Sequence, residues 1–158
     1  MGNPNIGKSA LFSRLTGVNV IVSNYPGTTV EFKKGKMRLG DQWAEVIDVP
    51  GAYTLEPNNK AEEIATGMLK DGDIVINVVD ATNLERNLYL TLQLLEKKIP
   101  MIIALNVWDD AKHKGILIDA EKLEKLLNTP VVPTVAITGE GINELVSRLP
   151  EAMHRGIK

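Results

Sequence analysis

Eight residues at the start of the chain, Gly2-Asn3-Pro4-Asn5-Ile6-Gly7-Lys8-Ser9, restrict the fold more than anything that follows. They form the G-x-x-x-x-G-K-[ST] phosphate loop, in which glycines let successive backbone N–H groups turn inward around phosphate oxygens. Lys8 supplies a point charge to the β- and γ-phosphates, and the Ser9 hydroxyl is placed to ligate Mg²⁺. The run Ser9 to Leu15 reads as a helix whose positive end faces the phosphates, so the expected contacts run from Asn3 through Pro4, Asn5, Ile6, Gly7, Lys8 and Ser9 to Ala10. Such a loop normally follows a buried strand, yet only Met1 precedes Gly2. The expectation is a fragment of a longer protein or a late start site, with a sheet weakened by the loss of that strand.

Downstream, the chain alternates strands with helices. Residues 16–31 read as a long loop around Pro26-Gly27, of the kind that is functional or mobile in compact domains. Residues 36–48 alternate apolar and polar side chains around Gly40-Asp41, a hairpin pattern. A helix is expected over 58–70, capped by Asn58 or Asn59, and a buried strand over 73–80. A second helix spans 84–98, with Leu84, Leu88, Leu92 and Leu95 assigned to the core. Another buried strand covers 100–106, a helix 119–128, a proline-bordered strand 130–136 and a closing helix 141–153. This order predicts one α/β domain over 1–158: three layers with a mostly parallel sheet of the P-loop small GTPase type, apparently lacking the strand before the phosphate loop.

In such sheets ligands bind at the carboxyl ends of the strands, so the loops after Asp48, Asn106 and Ala136 converge on Gly2 to Ser9. Asp48-Val49-Pro50-Gly51 ends a strand, where phosphate-loop proteins hold Mg²⁺ through an acidic residue, and Gly51 can bring an N–H to the γ-phosphate. In Asn106-Val107-Trp108-Asp109, the Asp109 carboxylate can accept both N1–H and N2–H₂ of guanine, a two-donor edge that adenine lacks. Asp109 or Asp110 could equally cap a helix. Ala136 with Thr138-Gly139 fits a loop whose backbone N–H reaches the guanine O6, with Val135, Ala136 and Ile137 as the expected nucleotide contacts. The chain has no cysteine and only two histidines, His113 and His154, which excludes disulfides, thiolate chemistry and a histidine-rich metal site. A net charge of −2 gives no reason to expect nucleic acid, and no apolar run approaches the length of a membrane span.

The order of these motifs resembles the translation-factor-type small GTPases. The likeness narrows at Asn24-Tyr25-Pro26-Gly27-Thr28-Thr29-Val30-Glu31, at Asp48 to Leu55 and at Val79 to Leu94, which together resemble the G domain of ferrous iron transport protein B. The resemblance implies a GTP/GDP-binding, GTP-hydrolysing module at the cytoplasmic face of the inner membrane. Its partners there would be the helical and permease domains of the same protein, with switch loops coupled to Fe²⁺ uptake. It implies Thr29, rather than Thr28, as the Mg²⁺-sensing switch threonine, and Asn5 as the ligand of an activating K⁺. Three positions depart from common patterns: Tyr25 where Trp is frequent, Val107 where many GTPases carry Lys, and Val135 where Ser often precedes the loop alanine. Whether copies of the chain associate is left open.

The implied mechanism rests on Lys8, Thr29 and Gly51. Ala52 stands where Ras-like enzymes carry the glutamine that orients water. Slow intrinsic hydrolysis follows, with K⁺ supplying charge in place of an arginine finger. Two other readings stand beside it: a ribosome- or tRNA-associated GTPase, and a nucleotide-gated binding module with negligible hydrolysis.

Overall fold

Residues 101–106 are apolar at five of six positions, and all six are buried. A strand with no solvent face must have a layer on each side, and this one organises the molecule. The computed structural model describes residues 1–4, 6–17, 19–56, 59–69 and 73–156, with residues 153–156 described by backbone alone. Its elements are α1 (Lys8–Thr16), β1 (Ile21–Asn24), β2 (Glu31–Leu39), β3 (Gln42–Asp48), α2 (Lys60–Met68) and β4 (Val75–Asp80), followed by α3 (Leu84–Glu96) and β5 (Met101–Asn106). Next come α4 (Trp108–His113), α5 (Ala120–Leu127), β6 (Val131–Pro133), α6 (Ile142–Ser147) and α7 (Leu149–Gly156).

Strands β4, β5 and β6 form a parallel sheet in that order, with Val78 opposite Ala104 and Ile103 opposite Val131. Alternation along β5 sends Ile102 and Ala104 to one face, where they join Leu11, Val132, Leu145 and Ala152. Met101, Ile103 and Leu105 go to the other face, with Val79, Leu90, Leu94 and Ala111. Two separate cores thus sandwich one sheet, the three-layer architecture expected. Strands β1, β2 and β3 form a second sheet that is antiparallel throughout.

Met1 and Gly2 join the two sheets. The Met1 carbonyl accepts from Val78 N at 2.7 Å, the Met1 amine donates to Ile76 O at 2.7 Å, and Gly2 O accepts from Ala52 N at 2.9 Å. Gly2 therefore makes a parallel bridge to β4 while also holding the segment after β3. These two residues stand in the strand position that the sequence leaves short. Burial pushes the Met1 amine down to about 5; the charge of Lys8 adds to the shift and that of Asp48 opposes it.

Several boundaries differ from expectation. The long loop of 16–31 contains β1, which pairs antiparallel with β2, so residues 25–30 are a hairpin tip. Exposed Ile21 and Val22 on a short edge strand gave little periodic signal. On α3 the buried face is Asn87, Leu90, Thr91 and Leu94; of the leucines expected in the core, Leu84 and Leu95 pack partly buried against it, while Leu92 is half exposed. Polar side chains on the inner face misplaced the stripe: Asn77 Nδ2 donates to Thr91 Oγ1 at 2.6 Å, which satisfies both within the core. The expected closing helix is two helices, because Pro150 cannot donate to the carbonyl four residues back and its ring crowds that position. Asn59, one of the two residues expected there, caps α2, accepting from Glu62 N at 2.8 Å; Asn58 lies outside the described residues.

At the far edge of the parallel sheet, Val131 N donates to Glu124 Oε1 at 3.0 Å and Val131 O accepts from Arg148 Nη1 at 3.3 Å. Arg148 also pairs with Glu124 at 2.8 Å and Glu151 at 2.7 Å. Hydrogen bonding to Glu151 outweighs partial burial and raises the Arg148 pKa. Among the described residues no helix is long and apolar enough to cross a membrane.

Candidate functional site

Gly7 is the N-cap of α1 and sits in the left-handed region at φ 87°, with no side chain to occupy the first helical amides. The first turn of α1 carries no acidic residue, so its amide end remains electropositive. A Cβ on Gly7 would collide with Asn106 Nδ2, so both its φ and its surroundings exclude other residues. Ser9 is exposed in this turn, beside Lys8 and Ala10.

Lys8 reaches across forty residues of sequence. Its Nζ donates to Asp48 Oδ1 and to Val49 O, each at 2.6 Å, and the two side chains are only 15% and 8% exposed. An ammonium has three donors, and two are used here. The third remains for an anion held at the α1 amides. Asp48 closes β3, and the chain then turns through Gly51, which packs on the phosphate loop so closely that a Cβ would stand 2.9 Å from Pro4 Cα. Ala52 is fully buried and its N–H is committed to Gly2 O.

Asn106 ends β5 and is 2% exposed. Its Nδ2 donates to Ile6 O at 3.0 Å, and its Oδ1 accepts from Ala136 N at 3.0 Å and from Thr134 Oγ1 at 3.2 Å. One carboxamide therefore ties the phosphate loop to the segment after β6. Val107 takes φ 52° and turns the chain into α4, whose first turn presents Asp109, exposed and with no hydrogen bond or ion pair among the described contacts. Neither Asp109 nor Asp110 caps the helix, since Val107 holds that position. Val135 and Ala136 are buried and Ile137 is 77% exposed. The Ala136 N–H is taken by Asn106, whereas Ile137 N has no acceptor among the described residues.

Loop 25–30 separates its two threonines. Thr28 Oγ1 donates to Tyr25 O at 2.9 Å and accepts from Val30 N at 3.2 Å, ordinary turn chemistry. Thr29 is exposed and its hydroxyl makes no hydrogen bond among the described residues, so of the two it is the one free to reach a ligand. Asn5, the expected K⁺ ligand, lies outside the described residues.

The donor set suits Mg²⁺, a hard ion that keeps several waters and needs only one or two protein oxygens; Asp48 carboxylate and Ser9 hydroxyl flank Lys8. Open helical amides, a lysine with a spare donor and a free aspartate beyond a shared asparagine suit a purine nucleotide extended from α1 to α4. Sequence reasoning missed two holders of this frame. Gln93 Oε1, on α3, accepts from Thr54 Oγ1 at 3.0 Å and Leu55 N at 2.6 Å, fixing the segment beyond Gly51. Arg14 donates from α1 to Ala136 O at 2.9 Å and to Ile137 O. A basic residue in the last turn of a helix reads as an ordinary complement to the helix dipole, and nothing in the sequence flags this reach.

A family model described as ferrous iron transport protein B matches residues 1–149. A curated Fe(2+) transport protein A/Fe(2+) transporter FeoB fusion protein of Porphyromonas gingivalis is 46% identical over 99% of this chain and 19% of its own length. The chain spans about a fifth of the length of the curated relatives it matches. The solved cytosolic domain of L. pneumophila FeoB superposes with a TM-score of 0.91 at 48% identity, covering 96% of this chain and 61% of that one. The cytosolic domain of the T. maritima FeoB iron transporter in its GMPPNP form gives 0.90 at 43% identity, covering 95% and 60%.

Proposed function

Because the chain belongs to the ferrous iron transport protein B family, as its N-terminal G domain, we propose that it binds GTP and GDP with Mg²⁺ and hydrolyses GTP slowly. Within the whole protein it would pass its nucleotide state to a membrane permease that takes up Fe²⁺. The observation that carries the site reading is the three-way hold of Asn106 on Ile6 O, Ala136 N and Thr134 Oγ1. A protein with no use for a phosphate and a base together has no reason to lock those two loops to one buried side chain. The GMPPNP form of the T. maritima relative, a guanine nucleotide with an intact γ-phosphate, supports the same ligand class.

Lys8 and the α1 amides would bind and orient the β- and γ-phosphates, with Asp48 and Ser9 holding Mg²⁺ and Thr29 closing over it from the hairpin tip. Mg²⁺ held there would neutralise charge on the phosphates. Gly51 offers an amide to the γ-phosphate, as its close approach to Pro4 allows. Val107 and Val135 shape the base pocket, Asp109 reads N1–H and N2–H₂, and the loop of Ala136 and Ile137 reads O6. Buried Ala52 has no polar side-chain group with which to orient water, which supports slow turnover. K⁺, held by Asn5, would supply the positive charge that an arginine finger gives elsewhere.

Single-turnover hydrolysis with Mg²⁺ in K⁺ against Na⁺ buffer tests the chemistry. A rate at least several-fold higher in K⁺, and lost in Asn5→Ala, is expected. Equal rates would sink the K⁺ role, and GTP held intact for hours in both would favour the binding-module reading. Asp109→Asn tests the base: roughly a hundredfold loss of guanine affinity with a gain for xanthine nucleotides is expected. Unchanged preference would remove Asp109 from the site.

A further inference from the structure

Four successive amides follow Val135 in the loop after β6, and three of them are already bonded. Ala136 N donates to Asn106 Oδ1, while Thr138 N and Gly139 N donate to Val135 O at 3.1 and 2.9 Å. Ile137 N alone has no protein acceptor among the described residues. Its direction is not free, however. In a planar trans peptide the carbonyl and the following N–H point opposite ways. The Ala136 carbonyl shares its peptide plane with Ile137 N–H, and Arg14 Nε holds that carbonyl at 2.9 Å. Arg14 Nη2 takes the next carbonyl, Ile137 O, so one guanidinium grips two consecutive peptide planes.

We infer that Arg14 is a positioning residue for base recognition: from the last turn of α1 it turns the Ile137 amide away from the helix and fixes it as the donor to the purine 6-oxygen. The inference rests on the guanine-site reading above and deepens it, adding a residue that touches no part of the nucleotide. Without Arg14 the loop keeps its three other amide bonds and its buried residues Val135 and Ala136. What it loses is the orientation of one peptide plane at the exposed Ile137. The effect is therefore confined to one atom of the ligand, which a general loosening of the fold would not be.

The test compares GDP with the diphosphate of 2-aminopurine riboside, which keeps the 2-amino group and lacks the 6-oxygen and with it the N1 proton, so each variant is compared with the parent's own Kd for the same ligand, at concentrations where the parent binds both. Binding to the 158-residue chain is measured for the parent, Arg14→Met and Arg14→Lys. Arg14→Met is expected to raise the Kd for GDP about tenfold, the scale of one lost hydrogen bond, and to leave the analogue unchanged. Arg14→Lys, with a single point of donation, should fall between. Equal weakening of both ligands would make Arg14 a general support of the fold and overturn the inference. An unchanged Kd for GDP in Arg14→Met would overturn it as well. A parent chain that fails to bind GDP would instead bring down the guanine-site reading itself, before any variant is compared.

Discussion

Lys8→Ala is expected to weaken GTP and GDP binding by about a hundredfold, the order of a charge-assisted contact to phosphate. It should also destabilise the nucleotide-free protein by about 2 kcal/mol, because Asp48 would keep a nearly buried carboxylate with its cationic partner gone. The two effects are separable. Urea unfolding without nucleotide reports the second, and titration with a fluorescent GDP reports the first. A loss of stability with unchanged affinity would reduce Lys8 to an ion pair that holds β3 to α1. The hundredfold loss alone would mean that Val49 and solvent satisfy Asp48 once the ammonium is removed.

The second large effect is expected at Asn106. Truncation to alanine removes three hydrogen bonds and leaves Ala136 N, Ile6 O and Thr134 Oγ1 inside a site where all three residues are buried. At roughly 1 kcal/mol for each, the cost is about 3 kcal/mol, a large share of what an ordinary domain has to lose. Chemical denaturation measures it directly. Phosphate and base recognition should weaken together in this variant, since the two loops are no longer tied. Asn106→Asp makes a sharper probe: it keeps an acceptor for Ala136 and loses the donor to Ile6, so it should harm the phosphate side first. If Asn106→Ala unfolds at the parental urea midpoint, the tie is incidental.

Much of this was legible beforehand because the relevant side chains are constrained by covalent neighbours or by repeat pattern. Gly7, Lys8 and Ser9 announce themselves by spacing, and the apolar runs of β4 and β5 announce a buried parallel sheet. Asp48 and Asp109 are readable because one closes a strand and the other stands three residues beyond one. Other features depend on contacts between distant segments. The role of Asn106 as a tie depends on Ile6, 100 residues away, and on Ala136, 30 residues away. The buried face of α3 is hidden in the sequence because Asn87 and Thr91 are polar, and partners elsewhere make their burial acceptable: Asn77 for Thr91, and Asp80 N and Asn83 O for Asn87. β1 escaped because an exposed edge strand of four residues carries no alternation. Arg14 was invisible because its partners are backbone carbonyls, which have no signature in a sequence.

Strand β6 ends the parallel sheet, and the outward-facing amide and carbonyl of Val131 are already given to Glu124 and Arg148. A strand normally tempts another chain to pair when such groups are left open. Here they are spent on the protein's own side chains, one acid and one base that also neutralise each other. Val131 therefore has no open backbone group to offer a neighbour at β6. Copies of this domain that meet at high concentration find no open backbone group at Val131 to pair with.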